Sequence, residues 1–217
     1  MRGRAAAVAW TEDPYTEAIG NGRGPLHLRA RDGWSLALDV ERWCAAADAA
    51  DLSVLDRCRG TVLDIGCGPG RLVTALHADG HPSLGIDLNP AAVARTRARG
   101  GSALRRSVFE PLPAPGTWDT ALLMDGNIGI GGDPALLLRR VARLVPSGGL
   151  LLAEVATDDV DERLHVWMES AAGAAGTPFP WARVGAAALH RLATLSGWLP
   201  EDSWSKDAHE FVALRRA

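Results

Sequence analysis

One glycine-rich segment is the part of the sequence best suited to bind a ligand. Residues 62–70 read Val-Leu-Asp-Ile-Gly-Cys-Gly-Pro-Gly, so that a short apolar run leads into three alternating glycines. Glycine allows a tight turn and lets a ligand approach the backbone closely. Asp87 follows the next apolar run, where its carboxylate could accept two hydrogen bonds from a ribose diol. The alternative is a purely structural glycine turn, with Asp87 as a helix cap.

Strands and helices are predicted to alternate around this segment. The predicted strands are the apolar runs 61–65, 83–87, 103–108, 119–124 and 150–155. Helices are predicted between them, over 71–78, from Pro90 behind the cap Asn89, and from Pro134 behind the cap Asp133. This alternation predicts an α/β fold whose sheet is mostly parallel. Ligands bind at the carboxyl ends of the strands in such sheets.

The beginning of the chain has a different pattern. Residues 26–38 alternate apolar and other side chains around Asp32-Gly33, which predicts a β-hairpin. Helices are expected from Val40 and over 51–58. We therefore expect residues 1–59 to form an accessory segment that covers the binding site.

The rest of the chain is expected to complete a single structural domain. Residues 60–217 form the ligand-binding core in this interpretation. A loop containing 178–181 and a helix over 185–196 are predicted near its end. Two final apolar runs, 199–204 and 210–214, are close enough in sequence to pair as antiparallel strands.

The glycine-rich segment resembles the first signature of class I S-adenosylmethionine-dependent methyltransferases, in which an acidic residue precedes alternating glycines. Asp64 is the acidic residue here, and Gly66, Gly68 and Gly70 follow it. The resemblance covers about 58–155, and more loosely the last strands. It implies a three-layer Rossmann-like sheet of seven strands, mostly parallel with an antiparallel C-terminal strand. It also implies S-adenosylmethionine as the cofactor.

The resemblance assigns roles to individual residues of the cofactor site. Asp64 and the glycine loop would meet the amino acid part of the cofactor, Asp87 would hold the ribose hydroxyls, and Leu88 would lie against the adenine. The family often has an acidic residue near the adenine amino group after its third strand. None stands at that strand end here, so Ser107 or the backbone of Val108 is expected to take that role.

The loop after the predicted fourth strand, 125–133, contains four glycines around a central Asn. The resemblance implies that residues 125–127 face the transferring methyl group; a flexible connection capped by Asp133 is the alternative. The expected cofactor-binding residues are therefore Asp64, Gly66, Cys67, Gly68, Gly70, Asp87, Leu88, Ser107, Val108, Asp125, Gly126 and Asn127.

Aromatic residues indicate where an acceptor could bind. The chain has eight tryptophans against one tyrosine and three phenylalanines, and several lie in the two regions that usually build the acceptor pocket in this family. An aromatic-lined pocket suits a flat or apolar acceptor, while ordinary core packing is the alternative. The acceptor-pocket candidates are Tyr15, Trp34, Trp43, Trp181 and Arg183, the last for an anionic group.

The catalytic residues are not specified by the sequence. A hydroxyl acceptor usually needs a general base, whereas an ionised carboxylate needs none. His27 in the hairpin and Asp125 are the candidates, and Glu154 could either face the pocket or end the sheet. The other histidines are expected to be structural, including His165 and His190 on predicted helices and His209 near a turn. No histidine pair has metal-ligand spacing with a supporting carboxylate, so no metal is expected.

Composition restricts the partners that we expect. The net charge of −3 lacks the basic excess of a nucleic-acid-binding protein. The three cysteines form no CxxC pair, which fits a reducing compartment, and no run approaches the length of a membrane span. We expect a cytoplasmic monomer or homodimer that acts on a small-molecule acceptor, without nucleic-acid or membrane partners.

Two other functions compete with a small-molecule methyltransferase. The first is an NAD(P)-dependent oxidoreductase, although Gly70 comes one residue early for the dinucleotide fingerprint. The second is a protein that binds S-adenosylmethionine without catalysis. Among acceptor atoms, oxygen is weakly favoured over nitrogen and carbon.

Overall fold

The structure, a computed structural model, describes residues 10, 14–173 and 175–217. Its strands are β1 (Leu26–Ala30), β2 (Ser35–Leu38), β3 (Val62–Ile65), β4 (Ser83–Asp87), β5 (Ala103–Arg105), β6 (Thr120–Leu123), β7 (Leu150–Val155), β8 (Asp161–Ser170), β9 (Phe179–Val184), β10 (Trp198–Lys206) and β11 (His209–Arg216). Its helices are α1 (Tyr15–Asn21), α2 (Val40–Cys44), α3 (Ala49–Leu55), α4 (Arg71–Ala78), α5 (Pro90–Ala98), α6 (Pro134–Val141) and α7 (Ala186–Thr194), with a 3₁₀ segment at Asn127–Gly132.

A seven-stranded sheet has the order β10-β11-β7-β6-β3-β4-β5. The strands β3 to β7 are parallel to one another, and β11 is antiparallel to both of its neighbours. Every residue of β3, β6 and β7 is buried, as expected for apolar strands covered on both faces. The predicted fold class, a mostly parallel Rossmann-like sheet with an antiparallel C-terminal strand, is confirmed.

Helices cover both faces of this sheet and so build the three layers. One face packs in a buried cluster with α6 and α7 through Leu63, Leu151, Leu137 and Leu189. The other face packs with α3 and α4 through Val62, Leu122, Val54 and Leu72. Because adjacent residues of a strand point to opposite faces, Val62 and Leu63 join different layers. Within the part of the chain that the structure describes, no helix is long and apolar enough to cross a bilayer.

A second, four-stranded sheet has the order β2-β1-β8-β9, and all its neighbours are antiparallel. The predicted N-terminal hairpin forms its β1 and β2, while β8 and β9 come from the segment between β7 and α7. Residues from both sides of the predicted division at residue 60 therefore share one sheet. Residues 1–9 and 11–13 of the predicted accessory segment lie outside the described residues.

The strands β8 and β9 were not predicted. The prediction of a loop at 178–181 is wrong from Phe179 onwards, and His165 lies on β8 rather than on a helix. Strand β8 is only half-buried, so its alternation of apolar and polar side chains is weak. Pro180 is tolerated because β9 is an edge strand, where a residue without an N–H breaks no ladder.

Two other boundaries differ from the sequence-based prediction. Helix α3 begins at Ala49 rather than at residue 51, because Asp48 caps it and exchanges hydrogen bonds with Asp51 in a capping box. Strand β5 ends at Arg105, three residues before the end that was predicted.

Candidate active site

A cavity of about 400 Å³ lies at the carboxyl ends of β3, β4, β6 and β7, with the second sheet and α2 on its other side. The loops that follow these strands line it. The cavity therefore lies where ligands bind in an open parallel sheet.

The glycine loop between β3 and α4 forms one wall of the cavity. Its backbone is fixed from two directions. The amides of Gly66 and Cys67 donate to the carbonyl of Ile86, at 2.8 and 3.0 Å. The Asn127 side-chain amide donates to the carbonyls of Ile65 and Gly66, at 3.0 Å each. Gly66 has a φ of +76°, and a Cβ there would lie 2.5 Å from Asn127 Nδ2, so only glycine fits without displacing that amide.

Asp87 holds the other side of the glycine loop. Its Oδ2 accepts a hydrogen bond from the Gly68 amide at 2.9 Å, and its Oδ1 accepts one from the Asn89 amide at 2.8 Å. Burial raises the pKa of Asp87, and these backbone donors oppose the rise. Asn89 itself caps α5 by accepting from two backbone amides. Asp87 is thus not needed as the cap, and each of its oxygens keeps a further acceptor position towards the cavity.

Asp64 lies beneath the glycine loop and does not line the cavity. Its side chain is buried, and its Oδ2 has no hydrogen-bond partner among the described residues. Burial raises the pKa of Asp64 to about 7, against the opposing charge of Arg71. A buried carboxyl oxygen without a partner carries a free-energy cost.

Two arginines and three aspartates form an ion-pair network at the floor of the cavity. Arg71 binds Asp51 at 2.7 and 2.8 Å and Asp125 at 2.9 and 3.0 Å. Arg42 contacts the same two aspartates at 2.9 Å each and Asp48 at 2.7 Å. Because Arg42 lies on α2 and Asp51 on α3, the network joins the N-terminal segment to the loop after β6.

A histidine–glutamate pair lies beside this network. His209 Nδ1 is 2.7 Å from Glu154 Oε1, and Glu154 Oε2 accepts from the Asp125 amide at 2.9 Å. Burial and the charge of Asp125 raise the pKa of Glu154, while the hydrogen bond from His209 opposes the rise. All three residues line the cavity.

Aromatic rings form a further part of the cavity lining, and the Tyr15 hydroxyl lies beside the glycine loop, 3.8 Å from the position that a Cβ on Gly68 would take. The ring of Trp10 lies 5.2 Å from Tyr15, 5.3 Å from Phe179 and 5.6 Å from Trp181, between centroids, and Trp43 lies 6.3 Å from Tyr15. Burial, together with the charge of Asp87, raises the pKa of the Tyr15 phenol. The phenol therefore stays protonated at neutral pH.

A family model described as a methyltransferase domain matches residues 40–201, which include the glycine loop, Asp87 and the loop after β6. The chain belongs to the class I S-adenosylmethionine-dependent methyltransferase family. This confirms the predicted family, and S-adenosylmethionine is confirmed as the cofactor that the family uses.

Solved methyltransferase structures share the fold. An S-adenosylmethionine-dependent methyltransferase from Bacteroides fragilis, in complex with S-adenosylhomocysteine, aligns with a TM-score of 0.77 and 20% identity over 100% of this chain and 95% of that one. The 1,6-didemethyltoxoflavin-N1-methyltransferase of Burkholderia thailandensis aligns with a TM-score of 0.57 and 19% identity over 77% of this chain and 76% of that one. At these identities the likeness concerns the fold.

Curated relatives match part of the chain. A ubiquinone biosynthesis O-methyltransferase from Sodalis glossinidius is 32% identical over 56% of this chain and 51% of its own length. A release factor glutamine methyltransferase from Rhodospirillum rubrum is 37% identical over 45% of this chain and 30% of its own length. The matched part thus spans 51% of the first relative and 30% of the second.

The cavity brings together most of the residues expected from the sequence. All the expected cofactor residues except Asp64 and Gly70 line it. Of the acceptor candidates, Tyr15, Trp43, Trp181 and Arg183 line it as well. Arg183 also pairs with Glu162 at 2.8 Å and Asp158 at 3.3 Å.

Two candidates lie elsewhere. The ring of Trp34 lies under the Arg183 guanidinium, at 5.4 Å, and does not line the cavity. His27 is absent from the lining as well, because it alternates along β1 with Leu28, whose side chain does line the cavity.

Several lining residues were not expected from the sequence, namely Arg42, Arg71 and His209. The strand register explains why His209 lines the cavity. Strand β11 runs antiparallel to β7 and pairs Phe211 with Glu154, so the start of β11 meets the end of β7. The predicted pairing of the two last runs, 199–204 with 210–214, does not give this register with β7. Among the residues that the structure describes, no group of three or more His, Cys, Asp or Glu side chains is arranged to hold a metal ion.

The site fits a cofactor with a ribose and an amino acid arm. The glycine loop exposes backbone rather than side chains, and Asp87 has acceptor positions suited to hydroxyl donors. Leu88, Ser107 and Val108 line the same side of the cavity as Asp87. Arg42 and Arg71 also line the cavity, but their guanidinium groups already pair with Asp51 and Asp125, and Arg42 pairs with Asp48 as well.

Proposed function

We propose that this chain transfers a methyl group from S-adenosylmethionine to a small-molecule acceptor, with oxygen favoured as the acceptor atom. One observation carries the proposal: a single cavity is lined both by the glycine loop with Asp87 and by an aromatic wall. The first lining suits the cofactor, and the second suits a flat or apolar acceptor.

The residues of the cofactor side would act by binding and orientation. Asp87 would accept hydrogen bonds from the ribose hydroxyls while its existing bonds to the Gly68 and Asn89 amides keep it in place. The loop held by Asn127 would support the amino acid arm, above Asp64. When bound, S-adenosylmethionine supplies a methyl group that is already activated by its positive sulfur, so the protein needs chiefly to orient and desolvate the reactants.

The acceptor side would be built by the N-terminal segment together with β9. Trp10, Tyr15 and Trp43 come from that segment, and Trp181 comes from β9. Their rings pack edge-on or tilted against one another and line the cavity together. Such a wall supports an acceptor that carries an aromatic ring.

Two observations favour oxygen. The His209–Glu154 pair at the cavity offers a base, which a hydroxyl acceptor needs and an ionised carboxylate does not. The relative from Sodalis glossinidius is, by its name, an O-methyltransferase. Nitrogen or carbon acceptors remain alternatives that the following experiment distinguishes.

The test is methyl transfer from S-adenosylmethionine that carries a trideuterated methyl group. The purified protein is incubated with a small-molecule cell extract and with a panel of phenols, amines and carbon acids, and products are found by mass spectrometry. We expect a labelled product whose fragments place the methyl group on oxygen. The Asp87→Ala variant should form it more slowly at limiting cofactor. Cofactor binding without any labelled product would indicate a non-catalytic binding protein instead.

A further inference from the structure

His209 is the one histidine that lines the cavity within the described part of the chain. Its Nδ1 lies 2.7 Å from Glu154 Oε1. When Glu154 is ionised its carboxylate can only accept hydrogen bonds, so in that state Nδ1 carries the proton and donates it. Nε2 then holds the lone pair of the neutral ring. No described residue forms a hydrogen bond with Nε2, and the His209 side chain is 30% exposed, so a ligand can reach the ring.

Glu154 is held in place from its other side. Its Oε2 accepts from the backbone amide of Asp125 at 2.9 Å, so the carboxylate connects the end of β7 to the loop after β6. The ring of His209 in turn stacks on Phe211, with a centroid distance of 6.3 Å and an interplanar angle of 21°. Both members of the pair thus have a fixed orientation, which a general base requires.

The other groups of the cavity are less suited to take a proton. Both Asp125 oxygens accept hydrogen bonds from Arg71, and one also accepts from Arg42. Tyr15 keeps its own proton, because burial raises the pKa of its phenol. Four aromatic residues, Trp10, Tyr15, Trp43 and Trp181, line the same cavity as the pair.

We infer that His209 is the general base for a phenolic hydroxyl of the acceptor, with Glu154 as the residue that positions it. This inference rests on the proposed function and names its substrate class. The phenolic O–H bond breaks, and its proton passes to His209 Nε2. The freed oxygen lone pair forms the bond to the methyl carbon, while the carbon–sulfur bond breaks and leaves its electron pair on sulfur, which becomes a neutral thioether. The proton on Nε2 then passes to water.

The experiment uses 4-nitrophenol, whose phenolate absorbs at a longer wavelength than the phenol. S-adenosylhomocysteine binding is first measured by calorimetry for the native protein and for His209→Gln, Glu154→Gln and His165→Gln. His165 lies exposed on β8, outside the cavity, and its variant is the matched control. The probe is then added to each complex at a pH about one unit below its own pKa, where about a tenth of it is ionised in water.

Proton transfer to His209 would create an imidazolium beside the bound phenolate. A neighbouring positive charge lowers the pKa of an acid by about 1–3 units, so about half or more of the bound probe should be ionised in the native protein and in His165→Gln. His209→Gln should abolish this rise, and Glu154→Gln should reduce it, because a neutral amide no longer stabilises the imidazolium. All variants should bind S-adenosylhomocysteine as the native protein does.

Methyl transfer to the same probe gives a second readout. Loss of a general base lowers kcat by about 10²- to 10⁴-fold, so kcat of His209→Gln should fall by that factor with little change in KM for the cofactor.

An equal phenolate signal in the native protein and in His209→Gln would overturn the inference, as would a native complex that does not ionise the probe. Failure to bind S-adenosylhomocysteine would instead refute the proposed function, and the calorimetric step identifies that outcome separately.

Discussion

The contact between Gly66 and Asn127 should show a strong energetic coupling. In the native loop the Asn127 amide donates to two carbonyls across the glycine. In Gly66→Ala the new Cβ would lie 2.5 Å from Asn127 Nδ2 and 2.9 Å from its Cγ. These approaches are far shorter than a van der Waals contact, so the amide must leave its place and lose both hydrogen bonds.

The magnitude follows from two separable costs. An alanine at a φ of +76° costs about 1–2 kcal/mol in backbone strain. Each hydrogen bond lost costs about 0.5–1.5 kcal/mol, so displacing the amide adds about 1–3 kcal/mol. Gly80→Ala is the matched control, because Gly80 has a φ of +79° and open space around its Cβ position. It should show the strain alone, while Gly66→Ala shows both costs.

The assay is urea unfolding of Gly66→Ala, Asn127→Ala and the double variant, alongside Gly80→Ala. In Asn127→Ala the two hydrogen bonds are already absent, so adding Gly66→Ala should then cost only the backbone strain. The double variant should therefore be more stable than the sum of the single effects by about 1–3 kcal/mol, in the range found for residues in contact. Additive effects within about 0.5 kcal/mol, or equal destabilisation by Gly66→Ala and Gly80→Ala, would refute the reasoning.

Three further variants test other parts of the site. Asp87→Ala should weaken S-adenosylhomocysteine binding by about 1–3 kcal/mol through lost charge-assisted hydrogen bonds; unchanged affinity in a folded variant would remove Asp87 from the site. Asp64→Asn should gain stability relative to the native protein as pH rises from about 4 to 7, because the pKa of Asp64 is raised to about 7 in the folded state and its ionisation there is penalised. The gain should reach up to about 4 kcal/mol and then level off; a pH-independent difference in urea unfolding would contradict it. Arg71→Met should cost about 3–5 kcal/mol, because it leaves Asp51 buried with one cation fewer, whereas Arg163→Met at an exposed ion pair should cost less than about 1 kcal/mol.

The elements that could be predicted from the sequence are those whose hydrophobic pattern and capping residues match the burial of the element in the fold. The central strands are uninterrupted apolar runs because both faces are covered, and Asn89 and Asp133 cap the helices that follow. Strands β8 and β9 could not be predicted in the same way. Strand β8 is half-exposed and pairs with β1, which lies far away in sequence, while β9 contains Pro180 and, among the described strands, pairs only with β8.

The same distinction applies to the site. The glycine loop follows β3, and Asp87 ends β4, the next strand along the chain. Their spacing in the sequence is therefore enough to predict that they share a site. The ion-pair network joins Arg42, Asp51, Arg71 and Asp125 from four separate elements, and no local spacing indicates it. His209 enters the cavity through the register of an antiparallel pair, which depends on the tertiary fold.

Calorimetric titration with S-adenosylhomocysteine, with NAD as a parallel control, tests the central claim most directly. The structure predicts saturable binding of one S-adenosylhomocysteine per chain and no binding of NAD, with the affinity reduced in Asp87→Ala. Binding of NAD alone would contradict the assignment of the glycine loop and Asp87 to S-adenosylmethionine. So would a folded protein that binds neither ligand.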